Sequence, residues 1–353
     1  MSTPGPQMAR QQVSEGFADA AAGYDTTGTE FFATMGTNLV THGAIPPGAW
    51  VLDVGCGKGA VTIPAARAAG PDGHVTGIDL APGMLAHAED RARRAGVANV
   101  SFQAGDAEDP GMHPGWTPGS FDVILAGNVI QFLPRPARAV AHWRTLLTPH
   151  GKLAISWNLA EDPRWLPIIA TFDTALPGNV TGFAATLRRP PFTSADDLEA
   201  MLTGASFHAP STVLHQVTMT YCGPGHWWAA AQSQGPWAVA WRHIPAPELD
   251  PARAQAFAQL DQLRAADGAL TRALTFACTA RSVAASIWAR SINPRARSAA
   301  SSCSLRRIAS PPSRVRTPRG GLRPGSSSKA RTARQVSSVT SGSHVPEPTM
   351  SPW

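Results

Sequence analysis

The run Asp53-Val54-Gly55-Cys56-Gly57-Lys58-Gly59 places a carboxylate at the head of three alternating glycines. Glycines let a backbone turn sharply and pass close to a bound molecule. If that turn opens a helix, the first helical N–H groups face the molecule without intrahelical partners. The spacing narrows the ligand. It is GxGxG rather than the GxGxxG of dinucleotide folds, and no GxxxxGK followed by Ser or Thr occurs, so a phosphate-cradling loop is excluded.

Three further points extend this chemistry. Asp79, in VTGIDLAPGML, is a carboxylate one strand-helix-strand unit beyond Gly55, where it can accept hydrogen bonds from both hydroxyls of a ribose. Asp106, in AGDAEDP, follows a third apolar run and offers an acceptor to an adenine amino group. Gly127 and Asn128, in FDVILAGNVIQFLP, stand where a fourth apolar run ends. Each residue alone has a plainer explanation as a cap or turn. Four such points in order at strand ends are hard to obtain by chance.

Elements that bring these points together can be read from periodicity. AWVLDVG (49–55), HVTGIDL (74–80), VSFQAGD (100–106), FDVILAG (121–127) and KLAISW (152–157) are near-continuous apolar runs. They alternate with helical patterns at 59–70, which carries an interior Pro64, at 81–96 and around 135–147. Buried strands alternating with helices predict an α/β, doubly wound, mostly parallel Rossmann-like sheet. All four points then lie at carboxyl ends of strands, where open α/β sheets bind ligands. Two helices precede the sheet, at 7–24 and 28–42, the second broken by Gly36. Beyond it, insertions are expected near 161–190 and 222–266, a helix with a good N-cap at 193–205, a strand at 211–221 and an antiparallel closing strand at 269–281.

Taken together, these residues resemble the class I S-adenosylmethionine-dependent methyltransferases, in the small-molecule branch that includes the ubiquinone and menaquinone biosynthesis methyltransferases. The resemblance covers about residues 10 to 160. It implies a cofactor, S-adenosyl-L-methionine, whose amino-acid end is lined by Asp53, Gly55, Cys56 and Gly57. By the same carry-over Asp79 binds the ribose, Leu80 and Met84 flank the adenine, and Asp106 with Ala107 closes its other side. Asn128 would stand near the sulfonium, and Tyr24, in AAGYD, would cover the cofactor from the N-terminal helices. The stretch 111–120 departs from relatives, replacing a shorter link. The resemblance makes 1–48 a helical cover, 49–281 the methyltransferase domain, and the acceptor a small molecule. Two alternatives are ring-carbon methylation of a respiratory quinone and a protein that binds the cofactor without catalysis.

An oxygen acceptor profits from a general base. His42, His142, His208, His215, His226 and His243 lie outside the cofactor loops. His226, at the start of the second insertion, is the preferred candidate, and His142 reads as structural. Cys56 reads as a small buried loop residue rather than a nucleophile. Trp157, Trp165, Phe183, Trp227, Trp228, Trp237 and Trp241 cluster after the fifth strand, which suggests a cover for an apolar, aromatic or polyketide-like acceptor. No metal-ligand spacing is present, so no metal is expected.

Composition closes off other classes. Residues 282–353 hold 12 of the 30 Lys and Arg and a single acid, Glu347, whereas residues 1–281 carry 18 basic and 23 acidic residues. The domain is therefore mildly acidic, against a nucleic-acid partner. The Ser-, Arg- and Pro-rich stretch 282–353 has no apolar period and is expected to be a disordered tail. No run reaches the ~18 apolar residues of a membrane span, and the scattered cysteines suit a reduced, cytoplasmic location. A homodimer is compatible with all of this.

Overall fold

The computed structural model describes residues 6–25, 30–110, 115–178, 192–233 and 235–283. Seven strands form one sheet in the order β3-β2-β1-β4-β5-β7-β6. They are β1 (Trp50–Val54), β2 (His74–Asp79), β3 (Val100–Ala104), β4 (Phe121–Gly127), β5 (Leu147–Glu161), β6 (Phe207–Tyr221) and β7 (Leu270–Val283). β7 runs antiparallel to both its neighbours, and the other pairings are parallel, as the apolar runs predict. The strand order reverses between β1 and β4. Crossovers from β1 lead one way and those from β4 the other, which leaves a crevice at their carboxyl ends.

Two-residue periodicity builds both cores. Val51, Val123 and Ala154 face the layer of α2 (Phe31–Gly43) and α3 (Thr62–Ala69), with Phe31, Met35 and Leu39. Leu52, Ile124 and Leu153, each adjacent in sequence to one of these, face the opposite layer with Trp143 of α5 (Pro136–Leu146) and with α7 (Ala195–Gly204). Burial on both faces explains why these strands read as unbroken apolar runs. Ser194 starts α7 as expected, its hydroxyl accepting the Asp197 N–H while Asp197 answers the Ser194 N–H.

Several expectations need correction. Helix α1 spans Pro6–Ala20 rather than 7–24, with turns continuing to residue 25. Gly36 does not break α2. A Cβ there would lie 2.2 Å from the Ala60 carbonyl oxygen, so the glycine is a contact that lets the helix lie against the loop after β1. Pro64 sits in the first turn of α3, where no intrahelical N–H is required of it. β5 extends well beyond 152–157, because β7 pairs with it from Lys152–Ser282 to Glu161–Leu274. β6 begins at Phe207 rather than 211.

After β5 the first insertion forms α6 (Leu166–Ala175), and the second forms α8 (Pro224–Ser233), α9 (Gly235–Ala240) and α10 (Ala246–Asp261). Helix α4 (Pro82–Arg94) follows β2. The rest of the first insertion, including Phe183, lies outside the described residues, as does the stretch read as a tail beyond Val283. No described helix is long and apolar enough to cross a membrane.

β7 ends at Val283, two residues beyond the end expected for the closing strand. Val283 is 4% exposed and pairs with Phe207, while Ser282 pairs with Lys152 and His208. A chain stopped after Arg281 should therefore melt below one stopped after Val283. Losing one buried valine is worth about 1.5–3 kcal/mol, and each kcal/mol lowers Tm by about 2–4 °C in a domain of this size. Equal melting temperatures for the two chains would contradict the assignment.

Candidate cofactor-binding site

The carboxyl ends of β1, β2, β3 and β4 meet beneath α1 and α2 around one cavity. Its volume is about 140 Å³. Tyr24, Gly55, Cys56, Gly57, Asp79, Leu80, Met84, Asp106, Ala107 and Asn128 all line it. Of the cofactor residues expected from sequence, Asp53 alone is not on the wall.

Asp79 organises the floor. Its Oδ2 accepts the Gly57 N–H at 2.8 Å and its Oδ1 accepts the Ala81 N–H at 2.9 Å. One carboxylate thus fixes the loop after β1 and the first turn of α4. Burial pushes its pKa up, opposed by the N–H donors of Ala81, Gly57 and Leu80. The loop reaches this position because Gly55 has φ +67°, and a Cβ there would come within 2.4 Å of a Val129 methyl. Gly57 follows at φ +51°.

Asp53 lies beneath the loop, fully buried, with Oδ2 accepting the Thr62 hydroxyl at 2.6 Å. This bond ties β1 to the start of α3. Its other oxygen, Oδ1, has no hydrogen-bond partner. Burial pushes the Asp53 pKa up to about 7, the Thr62 hydroxyl pulls it down and the charge of Asp79 raises it further. Burial, with the charges of Asp79 and Asp53, also holds the Cys56 thiol well above its ordinary range. A thiol held protonated in this way is a poor nucleophile.

Asp106 turns the chain after β3 by accepting the Glu108 N–H at 2.8 Å. Glu108 is buried and holds the Arg135 guanidinium, with Nε 2.5 Å from Oε1. Asn128 adopts φ +54°, donates its N–H to Ser156 at 2.9 Å, and its side-chain oxygen accepts from Gln131 at 2.5 Å. A left-handed asparagine beside a cavity is the kind of conformation that a surrounding structure must enforce.

An aromatic arc completes the wall. Phe132 meets Phe17 at 5.7 Å between ring centroids, Phe17 meets Tyr24 at 5.9 Å, and Tyr24 meets Phe32 at 5.2 Å. Phe17, Phe32, Met35 and Phe132, with Asp25, Lys58 and Arg91, line the cavity and were not singled out by sequence. The three N-terminal side chains carry a signal only once α1 and α2 are known to cover the strand ends.

Other expectations are not brought to the cavity. None of the six candidate histidines lines it. His226 accepts the Cys222 N–H through Nδ1 at 3.1 Å, capping α8, and meets the Tyr221 ring. His142 has its Nδ1 3.1 Å from the Glu108 carbonyl oxygen. The tryptophans form a core of their own. Phe172 stacks on Trp228 and Trp241, Trp237 stacks on Trp241, and Trp165 meets Trp227. Trp157 packs on Phe192 in the other layer. Their surface is spent on one another and none lines the cavity.

The raised pKa of Asp53 carries a sign. The folded protein holds this proton more tightly than the unfolded chain, where the ordinary value is 3.8. The associated stability is full below that value and is lost as pH rises through about 7. Asp53→Asn removes the titration, so the melting temperature of the ligand-free wild type should fall more between pH 6 and pH 8 than that of the variant. Parallel curves would rule out an elevated Asp53 pKa.

Residues 45–167 match the family described as Methyltransferase domain. An aklanonic acid methyltransferase from a Streptomyces species is 38% identical over 147 residues, 42% of this chain and 65% of that protein. A nocamycin O-methyltransferase from Saccharothrix syringae is 39% identical over 139 residues, 39% of this chain and 48% of that protein. An arsenite methyltransferase from Halobacterium salinarum is 32% identical over 172 residues, 49% of this chain and 40% of that protein. The chain thus spans less than two thirds of the length of each. Over residues 45–167 the chain is thus similar to methyltransferase domains.

Proposed function

We propose that this protein transfers a methyl group from S-adenosyl-L-methionine to a small apolar acceptor of aromatic or polyketide-like type. The observation that carries the proposal is one cavity with two chemistries. Asp79, Asp106, Asn128 and the glycine loop supply its polar wall, and the arc Phe132–Phe17–Tyr24–Phe32 supplies an apolar one. The residues fit the cofactor. Asp79 keeps lone pairs toward the cavity for ribose hydroxyls after binding its two amides, and Leu80, Met84 and Ala107 give the adenine apolar flanks. In this reading Asp106 takes the adenine amino group, the loop N–H groups the amino-acid end, and Asn128 the neighbourhood of the sulfonium.

When bound, the cofactor supplies a methyl group already activated by its sulfonium. What remains for the chain is to align an acceptor and keep water out. Tyr24, Phe17 and Phe32 do this by covering the strand ends with rings. No histidine among the described residues stands at the cavity, so none is assigned as a base. The names of the first two relatives support a secondary-metabolite acceptor, and the second supports an oxygen nucleophile. Three unpaired cysteines among the described residues, Cys56, Cys222 and Cys278, support a reduced, cytoplasmic setting.

Replacing Asp79 tests the reading directly. Asp79→Ala should weaken S-adenosylmethionine by about 1–3 kcal/mol, because ribose hydroxyls buried without their acceptor bear the full cost of desolvation. That is roughly 5- to 150-fold in Kd by titration calorimetry. Wild-type affinity in a variant shown to be folded would sink the assignment.

A further inference from the structure

Lys58 is the second-to-last residue of the run DVGCGKG, yet its side chain does not turn to solvent. It is 8% exposed, and its Nζ donates to the Tyr24 carbonyl oxygen at 2.6 Å, with the Ala22 carbonyl oxygen at 3.5 Å. Both acceptors are backbone groups of the turn that follows α1. That turn carries Tyr24 and Asp25 onto the cavity wall. A lysine held among backbone carbonyls loses much of its hydration and replaces it with fixed dipoles.

Other ties hold the same segment, and they come from elsewhere. Ser14 donates its hydroxyl to the Leu80 carbonyl at 3.0 Å, Arg91 of α4 lies 3.4 Å from Asp25, and Arg242 donates to the Gly16 carbonyl at 3.0 Å. Gly83 of α4 sits against Ala18 and Ala21, where a Cβ would come within 3.2 Å of the Ala21 methyl. Among these contacts, Lys58 alone joins the segment to the glycine loop itself. The loop is in turn fixed by Asp79 through the Gly57 N–H. A continuous path therefore runs from the carboxylate assigned to the ribose, through Gly57 and Lys58, to the backbone of Tyr24.

We propose that Lys58 is a positioning residue that closes the N-terminal segment over the cofactor cavity and so sets how long the cofactor stays bound. The inference rests on the cofactor reading above and adds to it a coupling between loop and cover. Lys58 needs no contact with the reacting atoms. It presents Tyr24 and Asp25 to a ligand whose presence orders the loop from which Lys58 springs. A cofactor that enters before closure and leaves after opening would feel Lys58 mainly in its release.

Labelled S-adenosylmethionine is bound to the full-length protein and chased with excess unlabelled cofactor. Lys58→Met should release label about tenfold faster, the scale of one lost charge-assisted hydrogen bond, with association within about twofold of wild type. Lys58→Arg, which keeps the charge and donors, should recover most of the difference. Hydrogen exchange should quicken at residues 18–25 in Lys58→Met and stay unchanged in β1 and β4, a pattern that general destabilisation does not give. If Lys58→Met does not fold, Lys58→Gln takes its place with the same expectations. Release within twofold of wild type in a folded variant, or an arginine variant as fast as the methionine one, overturns the proposal. A wild type that binds no label overturns the cofactor reading instead.

Discussion

The carboxylate of Asp79 takes one N–H from the loop after β1 and one from the helix after β2, at a place where a buried charge must be satisfied. Much of the site follows from that demand. Gly57 can reach Asp79 only with its left-handed backbone, and Gly55 before it must have no side chain because Val129 is too close for one. Asp53 and Thr62 fix the other end of the same turn from below. Two acids thereby hold the loop, Asp79 through the Gly57 N–H and Asp53 through the Thr62 hydroxyl. Two carboxylates in so small a volume repel, which contributes to the elevated pKa of Asp53.

The parallel half of the sheet was legible because its signal is local. β1, β2 and β4 are buried on both faces, so their residues are largely apolar irrespective of what they pair with. The carboxylates at the strand ends interrupt that pattern where no core demand explains them. What was misread depended on partners distant in the chain. Gly36 looks like a helix breaker until Ala60 is placed against it. The lengths of β5 and β6 are set by β7, which sequence patterning at 152–157 could not register. Phe17 and Phe132 become neighbours only through the fold.

Tryptophan was the most misleading residue. An abundance of rings after β5 invites a picture of an aromatic cover, but indoles stack as readily on each other as on a ligand. Here Trp227, Trp228 and Trp241 join Phe172 in a buried block, and Arg272 lies 4.3 Å over the Trp237 ring while pairing with Glu161. This block welds α6, α8 and the ends of β5 and β7 into a firm support. The side chains that do face the cavity from above belong to α1, α2 and the turn between them. Among the described residues, the C-terminal insertions pack away from the cavity and the N-terminal segment lines it.

The position of β7 has a consequence for how the chain comes to be folded. This strand fills the space between β5 and β6, and its residue Arg272 meets Glu161 across a separation of 111 positions. During synthesis from the N-terminus, β1 to β5 can assemble early while the long outer side of β5 waits with its N–H and C=O groups unpaired. Such an edge is a template for pairing with another molecule. β6 emerges next but has no place until β7 arrives to separate it from β5, so the last two of the seven strands are added in a single late step. Crowding of nascent chains would therefore bear on the yield of this protein through one strand, the last of the sheet to be made.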